Sequence, residues 1–229
     1  MSDIITSSVE YPSNGLAGMG YLARPASGAG PGIVVIQEWW GLNDHIRDVT
    51  ERFAREGYVA LAPDLYHGKS TSEPDDARKL AMELERPRAI VEIAGAARYL
   101  KSLAEVAPKK VGGVGWCMGG GLAFAMGHAS DQFAALVGFY GRPPSDEETA
   151  RINCPVLGLF GELDGGITPA MAEAFRAALV QHGAPHAIHI YPGAPHAFFN
   201  DTRPHIYHAE AARDAWHKTL NWFKMYLSA

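Results

Sequence analysis

The chain is poor in the features that would tie it to a membrane, a nucleic acid or an oxidising compartment. Its 229 residues include only two cysteines, Cys117 and Cys154. They show no C-x-x-C pairing, so no disulfide framework is expected and a reducing, cytoplasmic setting is. No run of five basic residues occurs, and 25 Asp and Glu against 20 Lys and Arg leave a net charge of −5. That balance offers a polyanion no positive footprint, so no nucleic-acid partner is expected. The longest apolar runs, around residues 33–36 and 134–140, fall far short of the ~20 residues of a membrane-spanning helix, and no membrane partner is expected either. Residues 1–15 carry neither Lys nor Arg nor an apolar stretch, and do not read as a signal peptide. Internal repeats, low-complexity tracts and long linkers are also missing.

What is present is a globular composition, 47% hydrophobic and 20% charged, with 25 Gly and 15 Pro scattered as turn punctuation. A chain of this size buries about 70% of its unfolded surface, enough core to need no disulfide or metal. Short continuous apolar runs alternate with amphipathic stretches, the pattern of buried parallel strands joined by helices. Strands are expected at 19–23, 32–37, 58–63, 110–115, 134–140, 156–160 and 187–191, with short antiparallel strands before Gly32 at one edge. Asn43 or Asp44 can cap a helix carrying Ile46, Val49, Phe53 and Ala54, ended by Gly57. A second helix spans about 88–104, and a third opens at Thr168-Pro169 and closes at Gly183. The last places Ala212, Trp216, Leu220, Phe223 and Leu227 on one stripe. Residues 72–84 also read as helical. The expected fold class is α/β: one domain, 1–229, with a mostly parallel twisted sheet flanked by helices.

The most informative stretch is Gly115-Trp116-Cys117-Met118-Gly119, between an apolar strand and a helical run from Leu122 to His128. This is the nucleophile-elbow arrangement of α/β-hydrolases, with Cys in the usual Ser place. Side chains at the flanking glycines would collide where strand and helix approach closely. The turn also sets the thiol near a helix N-terminus, where free N–H groups stabilise negative charge. Cys154, before a proline at a strand start, reads as core packing.

Such a nucleophile needs a base, and the base an orienting carboxylate. On this fold the chain order is nucleophile, acid, histidine. Asp164 follows the strand at 156–160 in a Gly-rich turn, and His196 follows the strand at 187–191 in a turn shaped by Gly193 and Pro195. Both lie where an open parallel sheet gathers its functional groups. Glu162 and Asp201 are the alternatives for the acid. The pairs His186/His189 and His205/His208 have metal-like spacing but no completing Cys or carboxylate cluster. They read as strand and near-surface helix residues, with no metal site.

Together with Gln37-Glu38-Trp39-Trp40-Gly41, Phe139-Tyr140-Gly141 and Gly193-Ala194-Pro195-His196, these motifs resemble those of the dienelactone hydrolases, from about Gly18 to the C-terminus. The resemblance implies a cofactor-free hydrolase opening a lactone or cleaving an activated ester, with Cys117 as nucleophile, His196 as base then acid, and Asp164 orienting the imidazole. It further implies that Glu38 holds the resting thiol neutral or turned away, and that backbone N–H groups of Trp39 and Met118 form the oxyanion hole. Tyr140 falls on a family motif and is a candidate substrate contact.

One departure stands out. Members that open dienelactones hold the substrate carboxylate with arginines, one of them four places after the catalytic His, where this chain has Asn200. Arg78, Arg86, Arg88 and Arg203 are the candidates to compensate, Arg78 and Arg203 foremost. The expected partner is a small-molecule lactone or ester, and the expected state a monomer or small homo-oligomer. A general short-chain carboxylesterase is the neighbouring alternative. A non-catalytic binding protein and a thiol redox sensor are the alternatives from other classes.

Overall fold

The computed structural model describes residues 3–13 and 15–228. Strands β1 (Ile4–Ser13), β2 (Leu16–Pro25), β3 (Gly30–Ile36), β4 (Val59–Pro63), β5 (Val106–Trp116), β6 (Ala135–Phe139), β7 (Val156–Gly161) and β8 (His186–Tyr191) alternate with helices. The helices are α1 (Asp44–Arg55), α2 (Pro74–Glu83), α3 (Arg86–Ser102), α4 (Met118–Ala129), α5 (Asp146–Thr149), α6 (Pro169–Gln181) and α7 (Ala209–Leu227). The strands form one eight-stranded sheet in the order β1-β2-β4-β3-β5-β6-β7-β8. Pairing is antiparallel for β1 with β2 and for β2 with β4, and parallel for β3 with β4, β6 with β7 and β7 with β8. This is the expected α/β class, a mostly parallel sheet flanked by helices. The chain forms two compact units, Met1–Gly113 with Leu227–Ala229, and Val114–Tyr226.

In the first unit the parallel strands are apolar on both faces: every residue of β4 is buried, as are Ile33 to Ile36 of β3. They accept α1 through Ile46, Val49 and Phe53, and α3 through Ile93, Ala97 and Leu100. The α1 cap is Asn43, whose side chain accepts the Ile46 N–H at 3.2 Å, an interaction typically worth about 1 kcal/mol. Gly57, at φ 91°, ends that helix as expected. The strands before Gly32 are not short. Each has ten residues, and β1 alternates too weakly to announce itself because residues 5–8 are all exposed. β5 starts earlier than expected, since Lys109 and Lys110 break the apolar run before the buried half of the strand.

In the second unit β6 and β7 are wholly buried. Phe124 of α4 stacks on Phe160 with ring centroids 6.1 Å apart and meets Phe175 of α6 edge-on at 5.1 Å. Thr168 caps α6, with Pro169 at its first position and Gly183 at φ 72° after it. His186 and His189 lie in β8 as expected, but His205 and His208 are not helical. They occupy the turns before α7, where the His208 ring nitrogen accepts the Ala211 N–H at 3.3 Å and its carbonyl accepts from Ala212. Among the described residues no helix is long and apolar enough to cross a membrane.

Candidate active site

Cys117 sits between the end of β5 and the start of α4 at φ 54°, ψ −116°. A non-glycine residue there is strained, and the surroundings hold it in place. Its N–H donates to the Phe139 carbonyl at 3.0 Å and its carbonyl accepts from Gly121 at 3.2 Å. The close approach of strand and helix explains the glycines. A Cβ at Gly115 would collide with the Gly119 backbone, and one at Gly120 would stand 2.5 Å from the Phe139 carbonyl oxygen. Met118 is the first residue of α4, so its N–H lies at the N-terminal end of that helix.

Asp164, 3% exposed, lies in the turn after β7. One carboxylate oxygen accepts the N–H groups of Gly166 and Ile167, each at 2.8 Å. The other accepts from Nδ1 of His196 at 2.5 Å. Burial pushes this carboxyl up, but the bonds from His196 and from the two backbone amides outweigh it and hold the pKa below the usual carboxylate range.

His196 follows β8 on a turn with two left-handed residues, Gly193 at φ 69° and Ala197 at φ 60°. Its imidazole is hydrogen-bonded to Cys117 as well as to Asp164. Burial works against the charged imidazole, yet the bond to Asp164 and then the bond to and charge of Cys117 prevail. They raise its pKa from 6.5 to about 10. The structure thus brings Cys117, Asp164 and His196 into one hydrogen-bonded line. Of the alternative acids, Glu162 is engaged elsewhere, accepting the Gly193 N–H at 2.8 Å.

An aromatic ring packs against the imidazole. Tyr140, fully buried at φ 38°, stands with its ring 5.0 Å from that of His196, and Phe198 lies 5.3 Å from Tyr140. Asn200 is buried, and its side-chain oxygen accepts both the N–H and the hydroxyl of Thr202, at 3.1 and 2.6 Å. Arg203 follows in the same turn, its N–H bonded to the Asn200 carbonyl at 3.2 Å. Cys154 is buried, and burial pushes its thiol up to about 12.

The remaining candidates belong to the first unit. Glu38 is 1% exposed in the segment after β3, and its carbonyl accepts the Gly41 N–H at 3.3 Å. Trp39 packs edge-on against Trp40 with centroids 4.9 Å apart. Arg78 is exposed on α2 and pairs with Asp75 of the same helix at 3.3 Å. From the sequence Gln37 is legible only as part of a motif, with no role; its buried side-chain oxygen accepts the Leu65 N–H at 3.2 Å and so ties the start of the Glu38 segment to the segment after β4. The motif marks the residue, but no spacing signal gives its bond to Leu65.

A thiol at a strand-to-helix elbow, with an acid and a histidine that follow later strands of a mostly parallel sheet, defines the class as an α/β-hydrolase. The model of the dienelactone hydrolase family matches residues 19–227. The chain belongs to that family and is a hydrolase. It is 37% identical to the "Putative carboxymethylenebutenolidase" of Synechocystis sp., over 97% of each chain. It is 36% identical to "Protein usf" of Aquifex pyrophilus, covering 96% of this chain and 98% of that one. The crystal structure of a "Putative Dienelactone Hydrolase" from Klebsiella pneumoniae subsp. pneumoniae superposes with a TM-score of 0.90 at 31% identity, covering 98% of this chain and all of that one.

Proposed function

We propose that this hydrolase opens a lactone or cleaves an activated small-molecule ester through a thioester on Cys117. The observation that carries the reading is the single imidazole of His196 bonded to Asp164 on one side and Cys117 on the other. His196 takes the thiol proton, and the sulfur bonds to the substrate carbonyl carbon. The resulting oxyanion accepts the backbone N–H groups of Met118 and Trp39, each such donor typically worth about 2.7–4 kcal/mol in the transition state. Collapse breaks the carbon–oxygen bond, and His196 returns its proton to the departing oxygen. Water then gives a proton to His196 and attacks the thioester carbon. The acid leaves, and the thiolate regains the proton from His196. His196 handles every proton, so no step calls for a cofactor.

In this scheme Glu38 opposes thiolate formation, against the pull of His196 and of the α4 N-terminus. The resting thiol is then kept from oxidants, whose attack follows thiolate character. The redox-sensor alternative is poorly supported by Cys154, a buried thiol pushed up to about 12. Asn200 favours one substrate type: with its side-chain oxygen committed to Thr202, that position supplies no cation. Lactones and esters lacking a carboxylate fit better than acidic ones, and this also keeps the short-chain carboxylesterase reading in view.

Two variants assayed on p-nitrophenyl acetate and on lactones with and without an appended carboxylate test the reading. Cys117→Ala should abolish turnover of every accepted compound while the fold persists, and Glu38→Gln should alkylate faster with iodoacetamide near neutral pH. Undiminished hydrolysis by the first variant excludes the nucleophile. An unchanged alkylation profile in the second removes Glu38 from the scheme.

A further inference from the structure

We propose that Glu162 is a positioning residue of this hydrolase: its carboxylate, bonded to the Gly193 amide, fixes the turn that delivers His196 to Asp164. The inference rests on the reading of Asp164 and His196 as parts of the catalytic machinery, and gives that machinery a support that no sequence motif assigned.

The acid and the imidazole come from neighbouring strands. β7 and β8 run parallel and stay paired to their last residues, Gly161 opposite Tyr191. Beyond that point both chains turn, and the sheet ladder no longer fixes their separation. Backbone bonds take over, from the Glu162 N–H to the Tyr191 carbonyl at 3.0 Å and from the Leu163 N–H to the Ala194 carbonyl at 2.9 Å. Both run from the acid turn to the histidine turn, and any residue could supply them. The Glu162 side chain adds the reverse connection, accepting the Gly193 N–H at 2.8 Å.

That reverse bond falls where the histidine turn most needs restraint. Gly193 adopts φ 69°, a conformation open to glycine and therefore also the most freely lost. Three residues later the imidazole must meet a carboxylate oxygen at 2.5 Å. Little slack exists between the turns, since a Cβ at Gly161 would stand 2.8 Å from the Pro195 carbonyl oxygen. A small rotation about Gly193 therefore shifts the whole histidine turn. Misplacing a reacting group by about 1 Å can cost on the order of a hundredfold in rate. Glu162 is exposed, so water replaces part of the lost bond and the expected loss is smaller.

The test compares Glu162→Ala, Glu162→Asp and Glu162→Gln with the unaltered protein on p-nitrophenyl acetate, per active site titrated by iodoacetamide, with Cys117→Ala in parallel. Ala removes the acceptor and Asp, one methylene shorter, withdraws it. Each should lower kcat by about tenfold and change KM by less than about twofold. Gln carries an oxygen at the same reach and should restore kcat to within about twofold. Thermal unfolding of all three should stay close to that of the unaltered protein, because the side chain is outside the core. Unaltered kcat in Glu162→Ala overturns the proposal, as does a Gln variant as slow as the Ala variant, or a loss confined to KM. A Cys117→Ala protein that still turns over would instead overturn the catalytic reading itself.

Discussion

At His196 one ring meets a carboxylate and a thiol, and the two neighbours act on it in the same direction. Asp164 and Cys117 together raise the imidazole to about 10 against the effect of burial, and Asp164 is itself held low. A group raised from 6.5 to about 10 contributes stability that is complete below 6.5 and lost as pH climbs through about 10. A carboxyl lowered from 3.8 contributes above 3.8 and fades as pH falls through its folded value. Both contributions are complete between pH 3.8 and 6.5. Asp164→Asn removes the first of the raising causes, so the His196 ring resonances in NMR should titrate well below 10 in that variant. A titration unmoved by the substitution would mean that Asp164 does not hold the imidazole. At this scale the sequence is largely legible: the hydrogen-bonded Cys117, His196 and Asp164 can be picked from two cysteines, ten histidines and 25 acidic residues by chain order and glycine framing. Glu162 can only be guessed as a rival acid, because a side chain reaching across to the amide of another turn leaves no local pattern.

The elements that carry these residues are specified with unequal clarity. The β5–Cys117–α4 elbow depends on missing side chains, since Gly115 lies against the Gly119 backbone. Gly115→Ala must push strand and helix apart, which costs about 1–3 kcal/mol and displaces the thiol. Denaturant midpoint and kcat should therefore fall together. Gly127, in the middle of α4, is the contrasting case. Its added Cβ would meet only the side chains of Ile152 and Leu136, at 3.3 Å, and helix propensity returns about 1 kcal/mol. Gly127→Ala should change both readouts much less, and equal losses in the two variants would contradict the elbow account. Caps made of single residues are plain in the sequence, as at Asn43 and Thr168-Pro169. The short α5 is overlooked although Ser145 and Glu148 form a capping box, because four residues carry no apolar period. His205 and His208 pass for helix because the following α7 pattern is strong, and only the structure shows His208 closing the end of that helix.

For the molecule as a whole, the pattern of buried strands and amphipathic helices is enough to give the α/β class, and motif order is enough to give the family. Strand order is less accessible, because nothing in a continuous apolar run says which neighbour it will take. β3, β4 and β5 follow one another in sequence, yet β3 lies between the other two. Substrate choice is the least accessible property, since it depends on where long side chains end rather than where they begin. Arg78 illustrates this, spending its charge on Asp75 of its own helix. The proposed mechanism turns on a covalent step at one sulfur. Its most direct measurement is mass spectrometry of the protein acid-quenched during turnover of p-nitrophenyl acetate. One acetyl group is expected on the peptide containing Cys117, removed by hydroxylamine as a thioester is. Acetyl found on another side chain, or full turnover by protein whose Cys117 has been alkylated, would contradict it.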